Sequence, residues 1–205
     1  MKKLPTLLIL LTLLVTATTA CGQENDVDQL IQILDIQKGD TVADIGAGDG
    51  DQTIGIAQYL GSGGRIYSTE LGTQRLQSLR NNIKQADAQN VEVVEGLPSA
   101  TNLPQECCNA IYMRRVYHHI DDPAAFNASL FATLKPGGRL AIIDFRPDGS
   151  EADPENRDQS GSHGVSPQTV VEELTEAGFQ LINSDTESGR HFYVVLQKPE
   201  YSSEE

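Results

Sequence analysis

The sequence predicts an α/β fold: a doubly wound, mostly parallel seven-stranded sheet with helices on both faces and an antiparallel last strand. Three observations carry this. From residue 26 onward short apolar runs alternate with longer segments of helical periodicity, the pattern of strand–helix–strand units. A glycine-rich stretch, Gly46-Ala-Gly-Asp-Gly50, stands between the first apolar run and its helix. The last two runs follow each other without a helix, so they pair antiparallel at one edge. A chain of 205 residues, 39% of them hydrophobic, can bury such a core without disulfide staples.

Each element has its own signal. Residues 26–36 place Val27, Leu30, Ile31 and Leu34 at helical spacing, with Asp26 available as a cap. The turn Lys38-Gly-Asp40 leads to a short strand at 41–45 and the glycine loop at 46–50. A helix at 53–60 stops at Gly61-Ser-Gly-Gly64. A strand at 65–69, a polar-faced helix at 74–86 and a strand at 91–95 follow. The fourth strand, 109–113, precedes a helix at 123–134 that Asp122 and Pro123 open. Lys135-Pro-Gly-Gly138 turns into a fifth strand at 139–145. Ser166 as cap, Pro167 in the first turn and Gly178 past the end define a helix at 166–177. Strands at 179–184 and 191–197 close the domain, and residues 199–205 form a frayed tail. The segment 146–165 has no periodicity and is dense in Asp, Glu, Gly, Ser and Pro; a loop of that kind is expected to border a ligand site.

Residues 1–20 read as an address. Met1-Lys2-Lys3 is basic, residues 4–15 are almost wholly apolar, and Ala17-Thr-Thr-Ala20 is small, the layout of a secretory signal peptide. The apolar run is shorter than the ~20 residues a membrane-spanning helix needs. Cys21-Gly22 directly after the small residues resembles a bacterial lipoprotein signal, in which the cysteine is acylated and becomes the mature N-terminus. Thr18 stands where such signals carry Leu, so simple cleavage and release stays open. The expectation is an exported protein, periplasmic or membrane-anchored through a lipidated Cys21, with residues 21–25 as a tether and 26–198 as the domain.

A net charge of −14 repels phosphate backbones and acidic membrane surfaces, which argues against nucleic acid as a partner. Cys107 and Cys108 can close only a strained ring and lack zinc spacing, so they read as buried thiols, and no metal site is expected.

The glycine loop lies where an open parallel sheet places its ligands, at the carboxyl ends of the strands. Its spacing is G-x-G-x-G, with Asp51 where the third glycine of the dinucleotide fingerprint would fall. A pyrophosphate there needs free amides and a positive helix end. Asp44, Asp49 and Asp51 bring carboxylates instead, each opposing a phosphate charge by about 4 kcal/mol at a protein surface. The same acids favour a nucleoside that carries positive charge. Glu70, after the second strand, stands at the distance of an acid that bonds ribose hydroxyls in βαβ nucleotide sites.

Val42-Ala-Asp-Ile-Gly-Ala-Gly-Asp-Gly50 resembles the first motif of the class I S-adenosylmethionine-dependent methyltransferases. Thr69-Glu-Leu71 is similar to their acidic ribose motif, and Leu134-Lys-Pro-Gly-Gly-Arg-Leu-Ala-Ile-Ile-Asp144 to the segment leading into their fifth strand. The resemblance covers residues 26–198. It implies a Rossmann-like sheet, S-adenosyl-L-methionine as cofactor, and methyl transfer to an acceptor. It also implies that Asp44, Gly46, Ala47 and Gly48 serve the methionine moiety, and Glu70 and Leu71 the ribose and adenine. Leu97 stands where many members carry an acid, so adenine is expected to be held by backbone and apolar contact. Asn109 replaces the Asp that many members have at the start of the fourth strand, a structural variation.

The carboxyl end of the fourth strand carries Arg114, Arg115, Tyr117, His118 and His119. By position Arg114 meets the cofactor's carboxylate, with His118 or His119 as general base for an acceptor that arrives protonated. The alternative is that the His pair caps the next helix. Asp144, Arg146 and His163 are further candidates to line the acceptor pocket. No aromatic cage, basic groove or substrate domain is evident, which favours a small-molecule acceptor. Two other classes stay open: an exported S-adenosylmethionine-binding module without turnover, since that cofactor is made in the cytoplasm, and a NAD-dependent oxidoreductase, which the acidic loop opposes.

Overall fold

A computed structural model describes residues 21–147, 164–185 and 190–201, with side chains from residue 26. The proposed leader, His163 and most of the irregular 146–165 segment lie outside the described residues. The elements run α1 (Cys21–Leu34), β1 (Thr41–Ile45), α2 (Asp51–Leu60), β2 (Arg65–Glu70), α3 (Thr73–Gln85) and β3 (Val91–Glu95). They continue with β4 (Cys108–Arg114), a 3-10 turn (Tyr117–His119), α4 (Pro123–Thr133), β5 (Leu134–Phe145), α5 (Pro167–Glu176), β6 (Gln180–Asp185) and β7 (His191–Gln197).

The strands form one seven-stranded sheet in the order β3-β2-β1-β4-β5-β7-β6, parallel except for β7, which is antiparallel to both its neighbours. Period-2 alternation splits the core in two. Ala43, Ile111, Met113, Leu140 and Ile142 face Leu130 of α4 and Leu174 of α5. Val42, Ile66, Ala110, Tyr112 and Ala141 face Leu30 and Leu34 of α1 and Ile56 and Leu60 of α2. A sheet covered on both faces needs strands that are apolar on both, which is why β1 and β4 read as continuous runs.

Several boundaries differ from the sequence reading, three of them beside the sheet ends or the glycine loop. α1 opens at Cys21, so the residues read as a tether belong to the helix; no proline stands between Cys21 and Asp26 to stop it there. β5 begins at Leu134, which pairs with Cys108, and the Pro-Gly-Gly turn is a bulge before Arg139 resumes pairing with Ala110. Main-chain bonds between Gly137 N–H and the Lys198 carbonyl, and Lys198 N–H and the Gly138 carbonyl, hold the bulge at 2.9 Å each. α2 starts two residues early, at Asp51. Asn109 is structural, accepting from Thr41 N–H at 3.1 Å and Lys135 Nζ at 2.8 Å. Cys108 is buried and Cys107 half-buried, their sulfurs in contact.

Candidate active site

Chain direction reverses its progression across the sheet between β1 and β4, and an open α/β sheet has its crevice at that point. A cavity of about 580 Å³ lies there, across the carboxyl ends of β3, β2, β1 and β4. Leu97 comes from beyond β3, Glu70 from the end of β2, Gly46 and Gly48 from the loop after β1, and Arg114 from the end of β4. Leu71 and Leu97 line it while 47% and 45% exposed, an apolar slot open to solvent at the β3 end.

The loop amides are already committed. Gly46 N–H and Ala47 N–H donate to the Thr69 carbonyl at 3.0 and 2.9 Å, and Gly50 N–H to the Ala47 carbonyl at 3.0 Å. Gly48 N–H donates to Glu70 Oε2 at 2.9 Å, and Leu71 N–H to Glu70 Oε1 at 2.8 Å. A buried carboxylate therefore occupies the position a phosphate would need, and an anion nest is excluded for a reason other than the one the charges suggested. Asp49 and Asp51 are exposed and do not line the cavity.

Asp44 also stands away from the cavity lining. It is 3% exposed, and its Oδ2 accepts from Thr53 Oγ1 at 2.6 Å and Tyr112 OH at 2.8 Å, with Thr53 Oγ1 in turn 2.9 Å from Ser68 Oγ. Burial pushes its carboxyl up to about 6, outweighing the two hydrogen bonds that hold it down. Asp44 thus ties β1 to α2, β2 and β4 beneath the glycine loop. Ala47 contributes a backbone amide to loop geometry and no cavity surface. Thr53 and Tyr112 were missed by sequence reasoning; a tyrosine inside a buried apolar strand was the available signal, because its hydroxyl must find a partner.

The two histidines separate. His118 is buried and absent from the cavity lining; its Nδ1 lies 2.9 Å from Asp144 Oδ1, and its backbone N–H donates to Asp144 Oδ2 at 3.2 Å. Its ring packs on His119, centroids 3.9 Å apart, and on Phe145 at 4.6 Å. His119 is exposed and lines the cavity beside Ile120, Asp121 and Phe126. Neither caps the next helix: Asp122 does, accepting from Ala125 N–H at 3.1 Å. Asp144 is fully buried, so it supports His118 instead of lining the pocket; Arg146 does not line the cavity either. The 3-10 turn explains the split, since adjacent residues on it point in different directions. Arg114 lines the cavity, with its Nη2 2.9 Å from Asp26 Oδ2 of α1.

A family model described as a methyltransferase domain matches residues 36–194, most of the chain. The chain belongs to the class I S-adenosylmethionine-dependent methyltransferases. The methyltransferase domain resembles a SAM-dependent methyltransferase from Aquifex aeolicus, with a TM-score of 0.73 at 22% identity over 84% of this chain and 89% of that one. It is 27% identical over 116 residues to a demethylmenaquinone methyltransferase of Listeria welshimeri, covering 57% of this chain and 49% of that protein. It is 26% identical over 149 residues to an arsenite methyltransferase of Halobacterium salinarum, covering 70% of this chain and 38% of that protein. The match to the demethylmenaquinone methyltransferase spans about half that protein's length.

Proposed function

We propose that the chain binds S-adenosyl-L-methionine along the cavity and transfers its methyl group to a small-molecule acceptor. The observation that carries this is the order of chemistry across the sheet: an apolar slot at β3, a carboxylate at β2, a glycine loop at β1 and a guanidinium at β4. Adenine, ribose, sulfur and amino-acid tail follow one another in that order along the cofactor. The residues fit the group: Leu71 and Leu97 flank a purine, Glu70 has lone pairs for ribose hydroxyls beyond the two amides it accepts, and Gly48 leaves open space on its cavity side. When bound, the cofactor supplies an electrophilic methyl, and the protein's work is to orient it toward the acceptor.

His119 is the group placed to take a proton from an acceptor, with His118 and Asp144 holding its ring in place from behind. His119→Ala is expected to lower kcat at saturating acceptor by 10²- to 10⁴-fold, the usual worth of a general base, with cofactor affinity changed less than twofold. Steady-state turnover checks it, and unchanged kcat would remove His119 from the chemistry.

Asp44 gives the reading a pH signature. Its folded value of about 6 lies above its unfolded value of 3.8, so its stability contribution is full below about 3.8 and lost as pH rises through about 6. That loss is about 3 kcal/mol at 1.36 kcal/mol per unit. A cationic ligand prefers the ionised form, so affinity for S-adenosylmethionine is expected to rise as pH rises from 5 to 7, with a midpoint near 6. Asp44→Asn should flatten that profile and weaken binding tenfold at pH 7 while raising the urea midpoint of the ligand-free chain. A profile that keeps its midpoint in the variant assigns it to another group.

Calorimetry of the full chain with S-adenosylmethionine tests the core of the proposal, and no binding at millimolar ligand sinks it. Turnover follows from release of S-adenosylhomocysteine with a demethylated quinone and with arsenite, the acceptor types that the relatives' names suggest. Binding without product on a broad acceptor panel would make the chain a binding module. Residues 1–20 support export, leaving the domain periplasmic or, with Cys21 acylated, at the membrane surface. Cell fractionation decides between these and shows which cofactor pool is in reach.

A further inference from the structure

Cys107 and Cys108 lie at the opposite end of β4 from the cavity, and methyl transfer makes no use of them. β4 runs from Cys108 to Arg114, so at ~3.3 Å per residue the thiols stand roughly 20 Å from its cavity end. Neighbouring side chains in a strand point to opposite faces, yet these two sulfurs touch at 2.9 Å. Cys107 stands just before the strand, where Glu106 turns the chain at φ +49, so the alternation does not govern it. Both flanks are pinned: Glu106 N–H donates to the Ala132 carbonyl at 2.8 Å, and Cys108 pairs with Leu134. Cys108 is fully buried, while Cys107 is half-buried and open to small reagents. The hydrogen bond between them holds the Cys107 thiol below its ordinary range and pushes the Cys108 thiol up. The Lys135 ammonium, bound to Asn109 Oδ1 at 2.8 Å, favours the thiolate of both. A partly exposed sulfur that ionises readily is both a nucleophile and a ligand for soft centres.

Geometry narrows what the pair can hold. A disulfide would close the strained ring of adjacent cysteines. Zinc takes four ligands, and among the described residues no group of three or more His, Cys, Asp or Glu side chains is gathered to hold a metal ion. Soft ions that take two thiolates in a line need sulfurs on opposite sides of the ion, which sulfurs 2.9 Å apart do not offer. A pyramidal trivalent centre takes both sulfurs on one side, and as a bridging atom it enlarges the ring and relieves its strain. We propose that Cys107 and Cys108 form a chelating site for trivalent arsenic, separate from the cavity and independent of the cofactor reading. The step is redox-neutral. The Cys107 thiolate attacks first and Cys108 follows; two As–S bonds replace two As–O bonds, and the two thiol protons leave with the oxygens as two waters.

Phenylarsine oxide, which water converts to the dihydroxide, is the probe. It is added to the full chain kept reduced with a phosphine, since a dithiol reductant would compete for the arsenic. Intact mass is expected to show one phenylarsenic per chain, with two titratable thiols lost and both recovered on adding excess ethanedithiol. Cys107→Ser changes the half-buried position, which the core tolerates better than Cys108. It is expected to weaken binding about a hundredfold, the gain that a second tethered contact brings. Cys21→Ser should keep the affinity within twofold, which separates the pair from the other cysteine of the sequence. Unchanged binding in Cys107→Ser would overturn the inference, as would loss of binding in Cys21→Ser or a wild-type chain that takes up no arsenical. Two thiols that stay joined to each other after the phosphine would make the pair a disulfide and overturn it as well.

Discussion

Glu70→Ala is expected to weaken binding of S-adenosylhomocysteine about a hundredfold. The side chain has two tasks. It staples the glycine loop to β2 through Gly48 N–H at 2.9 Å and Leu71 N–H at 2.8 Å, and it faces the cavity at the position proposed for the ribose. A hydrogen bond to a charged group is worth about 1.5–3 kcal/mol, so losing two toward ribose removes about 3 kcal/mol, and each 1.4 kcal/mol is tenfold in Kd. Arg75, 3.7 Å away and 76% exposed, is too solvated to compensate. Glu70→Gln should fall between, because its amide group sets a donor against one of the two backbone N–H groups. Calorimetry measures both, and a loss under tenfold in the alanine variant would place the ribose elsewhere.

Gly46→Ala is expected to lower the stability of the domain by about 2–5 kcal/mol and to abolish cofactor binding. Gly46 has φ +74, a left-handed conformation that costs other residues roughly 1–2 kcal/mol. A β-carbon there would also lie 2.5 Å from one methyl of Val116 and 3.0 Å from the other, and overpacking adds about 1–3 kcal/mol. Gly48→Ala is the control. Its φ is +58, but nothing lies within 4 Å of an added β-carbon, so only the backbone cost of roughly 1–2 kcal/mol applies. Urea unfolding should rank Gly46→Ala well below Gly48→Ala. Equal losses would mean that contact with Val116 contributes nothing.

The architecture was legible because its signals are local. Strand–helix alternation, the caps at Asp122 and Ser166 and the stop at Gly178 each depend on neighbours within one turn, and all three positions behave as read. The cavity-lining positions Gly46, Gly48, Glu70, Leu71, Leu97 and Arg114 were legible too, because strand ends converge on one crevice whatever the details of packing.

Side-chain direction and partnership were not legible. Asp44 and Glu70 are both acids at strand ends, yet one points into the core toward Thr53 and Tyr112 and the other into the cavity. His118 and His119 are adjacent, and only the 3-10 turn decides which meets Asp144 and which faces the cavity. Asp26 and Arg114 are far apart in the chain and meet because α1 packs over α2 and the end of β4. The amino-acid order by itself determined the sheet, the crevice and the kind of molecule the crevice suits, since periodicity and turn chemistry act over a few residues. Which acids keep their charge for the ligand and which spend it inside the protein was decided by tertiary structure alone, since burial and hydrogen-bond partners arise from contacts distant in sequence.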